Sequence, residues 1–252
     1  NIYYFKYEPL KWRVLDPSTG LVLCESIIDS QAYSNTIYEY GTDENGTAYW
    51  NDAEHTHYAN DYATSSVRAW LNDDFYNTAF SSSQKASILT SELDNKAYST
   101  SYSEYDSETT YDKVFLLSWS EMQNTVYGFP ANTSSSSARQ AKGTDYAKCQ
   151  GLWVNSSNEC SVQRLRSAGS TSYRACSVNS DGALYPYWDV DSTDYGVRPA
   201  LKISNLASGI FESGGSEPGS NAPFNQPTYI ADIWSGNREE KTPEHESLSW
   251  YY

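Results

Sequence analysis

Leu165-Arg166-Ser167 and Gly196-Val197-Arg198-Pro199-Ala200-Leu201 frame a segment crowded with Tyr, Trp, Asp, Ser and Asn. Both frames alternate like strands. Between them stand Tyr173, Arg174, Asn179, Asp181, Tyr185, Tyr187, Trp188, Asp189, Asp191, Asp194 and Tyr195. Tyr and Trp offer large contact area at small entropic cost, so an aromatic and acidic display between two strand segments reads as a binding surface. The competing reading is a set of hairpin turns that are polar because water surrounds them.

Working outward, the remaining patterns alternate between strand and helix. Residues 1–29 read as two strands, with Leu10 to Leu15 alternating, Asp16-Pro17-Ser18-Thr19-Gly20 turning, and Leu21 to Cys24 resuming the apolar run. Residues 30–63 read as irregular. Val67, Trp70, Leu71 and Phe75 share one helical face, capped by Ser65 or Ser66, and predict a helix over 66–75. A short amphipathic helix over 84–89 follows Ser82. Residues 94–111 form a polar excursion, and Val114 to Leu117 read as a buried strand. Ser118-Trp119-Ser120-Glu121 has capping-box spacing and should open a short helix. A Ser/Thr loop spans 130–137, helical character is expected over 138–148, and strands are expected near 162–167, 173–178, 183–188 and 196–203. Strands at both ends with helices between them predict an α+β domain over 1–204, its terminal strands paired. Gly, Ser and Pro make 205–227 a linker, and 228–252 a tail that is either docked or part of something longer.

Composition narrows the partners. Among 252 residues there are 23 Tyr and 8 Trp against one Met, so rings fill the core and spill onto the surface. A net charge of −15 disfavours nucleic acid and anionic membranes, both of which demand a basic face. No apolar run reaches the roughly 18 residues of a membrane span. The chain opens at Asn1 with residues that already read as a strand, which suggests an excised portion of a longer polypeptide. Cys149 and Cys160 could close a short loop as a disulfide. Export would permit that bond without requiring it. Cys24 and Cys176 lie in strand-like runs, where buried thiols are the usual outcome.

These patterns together look familiar. Trp12-Arg13-Val14-Leu15, Ser66-Val67-Arg68-Ala69-Trp70-Leu71-Asn72, Phe80-Ser81 and Asp112-Lys113-Val114-Phe115-Leu116-Leu117-Ser118 precede the two frames in order. Over roughly residues 2–203 the chain resembles a family of bacterial extracellular domains of unassigned function. The resemblance implies a C-type-lectin-like fold, in the branch that includes formylglycine-generating-enzyme-like domains. It implies paired terminal strands, two flanking helices and a ligand face in the loops before the last strand. Some relatives are variable proteins of diversity-generating retroelements, which randomise adenine-containing codons. Tyr, Asp, Ser and Asn are reachable from Asn codons, and 170–195 holds five Ser, four Tyr, four Asp and Asn179.

Catalytic chemistry finds little purchase. The formylglycine-generating branch needs a reactive cysteine pair; Cys160 and Cys176 lie in the right region, but no feature of the sequence would lower their pKa. His55-Thr56-His57, with Asp52 and Glu54 nearby, supplies two imidazoles and lacks a clear third ligand. Trp50-Asn51-Asp52 matches a calcium-lectin triplet but comes too early in the chain. Asp189, Asp191 and Asp194 could converge on calcium, against the alternative of a solvated acidic turn. Arg166 and Arg198 read as organisers of the core beneath the loops. No Gly-rich phosphate loop or nucleophile elbow appears. The expectation is a non-catalytic, secreted or surface-attached recognition domain without a cofactor, binding an extracellular protein or carbohydrate. A structural or assembly module in a larger surface protein is the alternative, and a formylglycine-generating-type oxidoreductase the third.

Overall fold

In the computed structural model, residues 10–43, 46–204, 206, 212–216 and 228–231 are described. The expected strand at 1–5 lies outside them.

The architecture is α+β, dominated by two sheets that share the last part of the chain. The first runs in the order Glu212–Ser216, Thr228–Ala231, Trp12–Asp16, Leu21–Cys24, Ala200–Ile203, Ile88–Leu89, with Val114–Phe115 also pairing Ala200–Ile203. The second is Leu184–Asp189, Arg174–Val178, Gln163–Ala168, Gly196–Val197, Asp29–Ser30. Pairing of Leu21–Cys24 with Ala200–Ile203 joins the two ends of the domain, as expected. Ile203 N donates to Gly20 O at 2.9 Å, and a Cβ on Gly20 would sit 1.9 Å from that same residue's carbonyl oxygen. Only glycine allows this approach.

Arg198-Pro199 is where the chain changes sheets. Pro199 has no N–H for a ladder, so the strand breaks after Val197 and resumes at Ala200. Cys24 N donates to Pro199 O at 2.8 Å, and Ile28 N to Val197 O at 2.9 Å.

The helix after Ser65 forms as the apolar spacing predicts and then runs on. Ser66–Trp70 is α-helical, Leu71–Phe75 π-helical and Tyr76–Ala79 α-helical again. Ser65 caps it, and Val67, Leu71 and Phe75 are fully buried. Arg68 and Asn72 explain the polar letters of this motif. Arg68 Nε donates to Asp112 at 2.8 Å. Asn72 accepts from Lys113 N at 2.8 Å and donates to Val114 O at 2.9 Å. Helix and strand are thereby clamped, and the two motifs separated in sequence become one structural unit. Phe75 packs edge-on against Phe80 at 5.6 Å, and Trp12 tilts onto Phe80 at 6.4 Å, so rings do fill much of the core.

Several expectations shift. Residues 30–63 contain a hairpin, Tyr38–Asp43 with Gly46–Trp50, because Tyr, Thr and Trp there outweigh the polar composition. The second helix is Ser82–Ser87 with a Ser81/Gln84 capping box, and Ile88–Leu89 leaves it to pair with Ala200–Ile203. Helical character over 138–148 divides into a 3-10 turn, Ser137–Arg139, and a helix, Asp145–Cys149. Glu212–Ser216 is a strand within the segment of linker composition, and Thr228–Ala231 of the tail docks on Trp12–Val14. All four cysteines are free thiols, with Cys149 exposed and Cys160 buried, so the bridge is not formed.

Candidate functional site

The framed segment folds as a hairpin of Arg174–Val178 and Leu184–Asp189, followed by a loop back into Gly196–Val197. This separates the predicted residues into distinct places. Asn179 and Asp181 build the hairpin turn: Asn179 N donates to Ala183 O and Gly182 N to Asn179 O, each at 2.8 Å. Asp181 accepts from Ala183 N at 3.0 Å and Ser135 Oγ at 2.7 Å. Burial would raise its pKa, and these hydrogen bonds outweigh that and lower it. The Asn179 backbone and the Asp181 carboxylate serve the turn, at the end of the hairpin opposite Asp189.

That far end is organised by a buried cation that the sequence left unnoticed. Arg164 donates to Asp189 O at 2.8 Å and Ser192 O at 2.7 Å, and its guanidinium lies 4.9 Å from the Tyr195 ring centre. Burial brings its pKa down to about 10, so it stays charged at neutral pH. Trp188 meets Tyr195 edge-on at 4.9 Å. Arg174 sits 5.1 Å over the Tyr173 ring and reaches Asp189 at 3.3 Å. The acidic loop is thus wrapped round Arg164. Among the described residues no group of three or more His, Cys, Asp or Glu side chains is placed to hold a metal ion. His57 instead pairs with Asp61 at 3.0 Å, while Asp52 accepts from Thr56 N and His57 N as a turn cap.

Between the two ends, Leu184–Asp189 alternates. Leu184 and Pro186 face inward, whereas Tyr185 and Tyr187 are 37% and 54% exposed, with ring centres 6.3 Å apart. The strand lies at the sheet edge, where Pro186 removes one donor that another chain could pair with. A bulge between Ala175 and Ser177 twists the strand before Trp188.

Next to this strand is a cavity of about 240 Å3, walled by Tyr98, Trp119 and Ser120 and reaching Lys96, Glu121 and Arg166. Ser118-Trp119-Ser120-Glu121 does form a capping box, with Ser118 N donating to Glu121 at 2.7 Å and Glu121 N to Ser118 Oγ at 3.1 Å, though it opens only a 3-10 turn. Arg166 donates to Leu116 O at 2.9 Å and is ion-paired with Glu121. Burial would raise the Glu121 pKa, and Arg166 with the Ser118 hydrogen bonds holds it below the usual range. Tyr98 stacks on Tyr102 and tilts against Trp119, each at 5.2 Å. Backbone bonds from Tyr98 to Ala168 and from Ser170 to Pro186, both 3.2 Å, fasten this wall to the hairpin. The Tyr98 phenol is pushed up by burial and next by its neighbour Tyr102.

Tyr98, Tyr102 and Trp119 escape a reading of the sequence because they lie in the polar excursion and the capping loop, far along the chain from the framed segment. Trp119 within a capping box was the available signal: its ring is partly buried, packing on the core and on Tyr98.

Fold and site define an α+β domain with a displayed aromatic edge strand beside a small polar cavity. Residues 21–205 match the family described as a domain of unknown function, DUF6273, and the chain belongs to that family. No curated protein and no solved structure matches the chain. No helix among the described residues is long and apolar enough to cross a membrane.

Proposed function

We propose that this is a non-catalytic ligand-recognition domain, of adhesion or receptor type, from a secreted or surface-attached bacterial protein. The observation that carries the reading is the pair Tyr185 and Tyr187, held side by side and open to solvent on a strand anchored at both ends. Exposed rings bind at low entropic cost, and the exposed Asp189 and Asp191 extend the surface. Carbohydrate suits this mix, because sugar C–H faces stack on rings while hydroxyls seek carboxylates. The paired terminal strands, intervening helices and loops before the last strand are consistent with a C-type-lectin-like fold. The net charge of −15 speaks against a nucleic-acid partner.

A hypervariable role is compatible with this layout. Tyr185, Tyr187, Asp189 and Asp191 are exposed, whereas Arg164, Arg166 and Arg198 are buried, so substitutions could collect on the display without disturbing its support. Sequencing the encoding DNA across a source population tests this: changes confined to adenine-bearing codons of the display support diversification, and uniform sequence refutes it. Thiol chemistry gains no support. Burial pushes Cys24 up to about 12 and raises Cys160 and Cys176, the reverse of a reactive thiolate.

The recognition reading is tested by screening immobilised glycans and surface proteins with wild type and Tyr187→Ala. Selective capture that Tyr187→Ala loses at unchanged melting supports it; capture that survives in Tyr187→Ala contradicts it. The alternative, an assembly module, is favoured by the docking of Thr228–Ala231 onto Trp12–Val14, which shows that this sheet accepts an added strand.

A further inference from the structure

The cavity beside the aromatic strand has chemistry of its own. Its lining carries Asp94 and Glu121 against Lys96 and Arg166, so formal charges cancel. A ligand with net charge of either sign would meet like charge there. Lys96 is held at the rim by Asp106 at 3.1 Å and Asp94 at 3.9 Å. Tyr98 and Trp119 supply an apolar wall. Arg166 is only 4% exposed; Nη1 is committed to Glu121 and Leu116, while Nε is buried with no partner among the described residues. The volume of about 240 Å3 falls below the roughly 300–1,000 Å3 of drug-sized sites and suits a single ring.

We propose that this cavity is the pocket for one neutral sugar residue of a glycan ligand. Its hydroxyls would meet the Glu121–Arg166 pair and its C–H face the Tyr98–Trp119 wall, and the rest of the glycan would continue across Tyr187. Each hydroxyl both donates and accepts, so a vicinal pair can serve carboxylate and guanidinium together. This rests on the recognition reading and adds a site and a ligand class to it.

The test is calorimetric titration of the purified chain with methyl glycosides of neutral hexoses and N-acetylhexosamines, with a uronic acid and a free amino acid as charged comparisons. Ser120, which is exposed, and Ala97 both line the cavity and neither belongs to the Glu121–Arg166 ion pair, so Ser120→Trp and Ala97→Phe are two independent ways to fill the space. At least one neutral glycoside should bind one-to-one. Either filled variant, with unchanged melting, should weaken it about tenfold or more, and Tyr187→Ala should weaken a longer oligosaccharide more than the monosaccharide. Binding that ignores both filled variants but falls in Tyr187→Ala overturns the pocket and leaves the recognition reading standing. Preference for the uronic acid or amino acid overturns the ligand class. Failure of every glycoside with wild type overturns the pocket; if Tyr187→Ala then retains every captured partner, the recognition reading falls separately.

Discussion

Arg198 Nε donates to Cys24 O at 2.7 Å across the junction of the two sheets. The same guanidinium reaches Gln163 Oε1 at 3.2 Å and lies 3.8 Å from Glu25, so one buried cation joins the strands Leu21–Cys24 and Gln163–Ala168. Truncation would orphan these acceptors. Arg198→Ala should destabilise the fold by about 3 kcal/mol, and Arg198→Lys should rescue little, since an ammonium cannot span the fork. Denaturant unfolding checks this; an unchanged midpoint would contradict it.

Asn72 is the second internal tie. Its amide makes hydrogen bonds to Arg68 O, Lys113 N, Val114 N and Val114 O. Asn72→Ala should cost about 2 kcal/mol, while Asp73→Ala, on the exposed side of the same helix, should stay within about 0.5 kcal/mol. Equal effects in the two variants would remove the clamp from the account.

Stability should show opposing acid and neutral limbs. Glu121 and Glu25 have folded pKa values below their ordinary ones, because the ion pairs with Arg166 and Arg13 outweigh burial. They stabilise above about pH 4.3 and lose that contribution as pH falls through their lowered values. Asp29 behaves oppositely: burial pushes it up to about 6. The unfolded chain therefore ionises Asp29 first, and stability drops as pH rises from about 4 to about 6, on the order of 2 kcal/mol. Asp29→Asn should flatten that drop in a melting-temperature profile. A profile identical to wild type would refute the assignment.

Thiol accessibility separates the free and bridged forms. Cys149 is exposed and the other cysteines are buried, so a native-state thiol reagent should modify one group quickly and the rest only on unfolding. Absence of fast labelling, restored by a reductant, would instead reveal the Cys149–Cys160 bond.

Deleting 207–252 removes the pairing of Trp12, Arg13 and Val14 with residues 228–230. A lower melting temperature and concentration-dependent association should follow, because a sheet edge is uncovered. A truncated chain that melts as wild type and stays monomeric would make the docked strand dispensable.

Much of the scaffold was legible because it repeats local rules. Val67, Leu71 and Phe75 at helical spacing and the Ser118/Glu121 capping box each follow from residue type and position, whereas 196–203 reads as one strand and is split at Pro199 between two sheets. Arg166 and Arg198 are buried, as their place in strand-like motifs implied. The site was harder, because it is assembled from distant segments. Nothing near Arg164 in sequence says that it will anchor the carbonyls of Asp189 and Ser192. Likewise, the Asp181 side chain looks like a ligand contact until the hairpin turn claims it. Tyr98 is tied to Ala168, and Ser170 in turn to Pro186, by backbone bonds, a relation that no local pattern encodes.

The most direct test is a titration of tyrosine-labelled protein followed by NMR, using whichever glycan or protein partner the screen returns. The account predicts that the ring signals of Tyr185 and Tyr187 shift while those of buried Tyr33 and Tyr62 hold still. Shifts confined to other exposed rings, Tyr38 or Tyr111, would place the binding face elsewhere and contradict it.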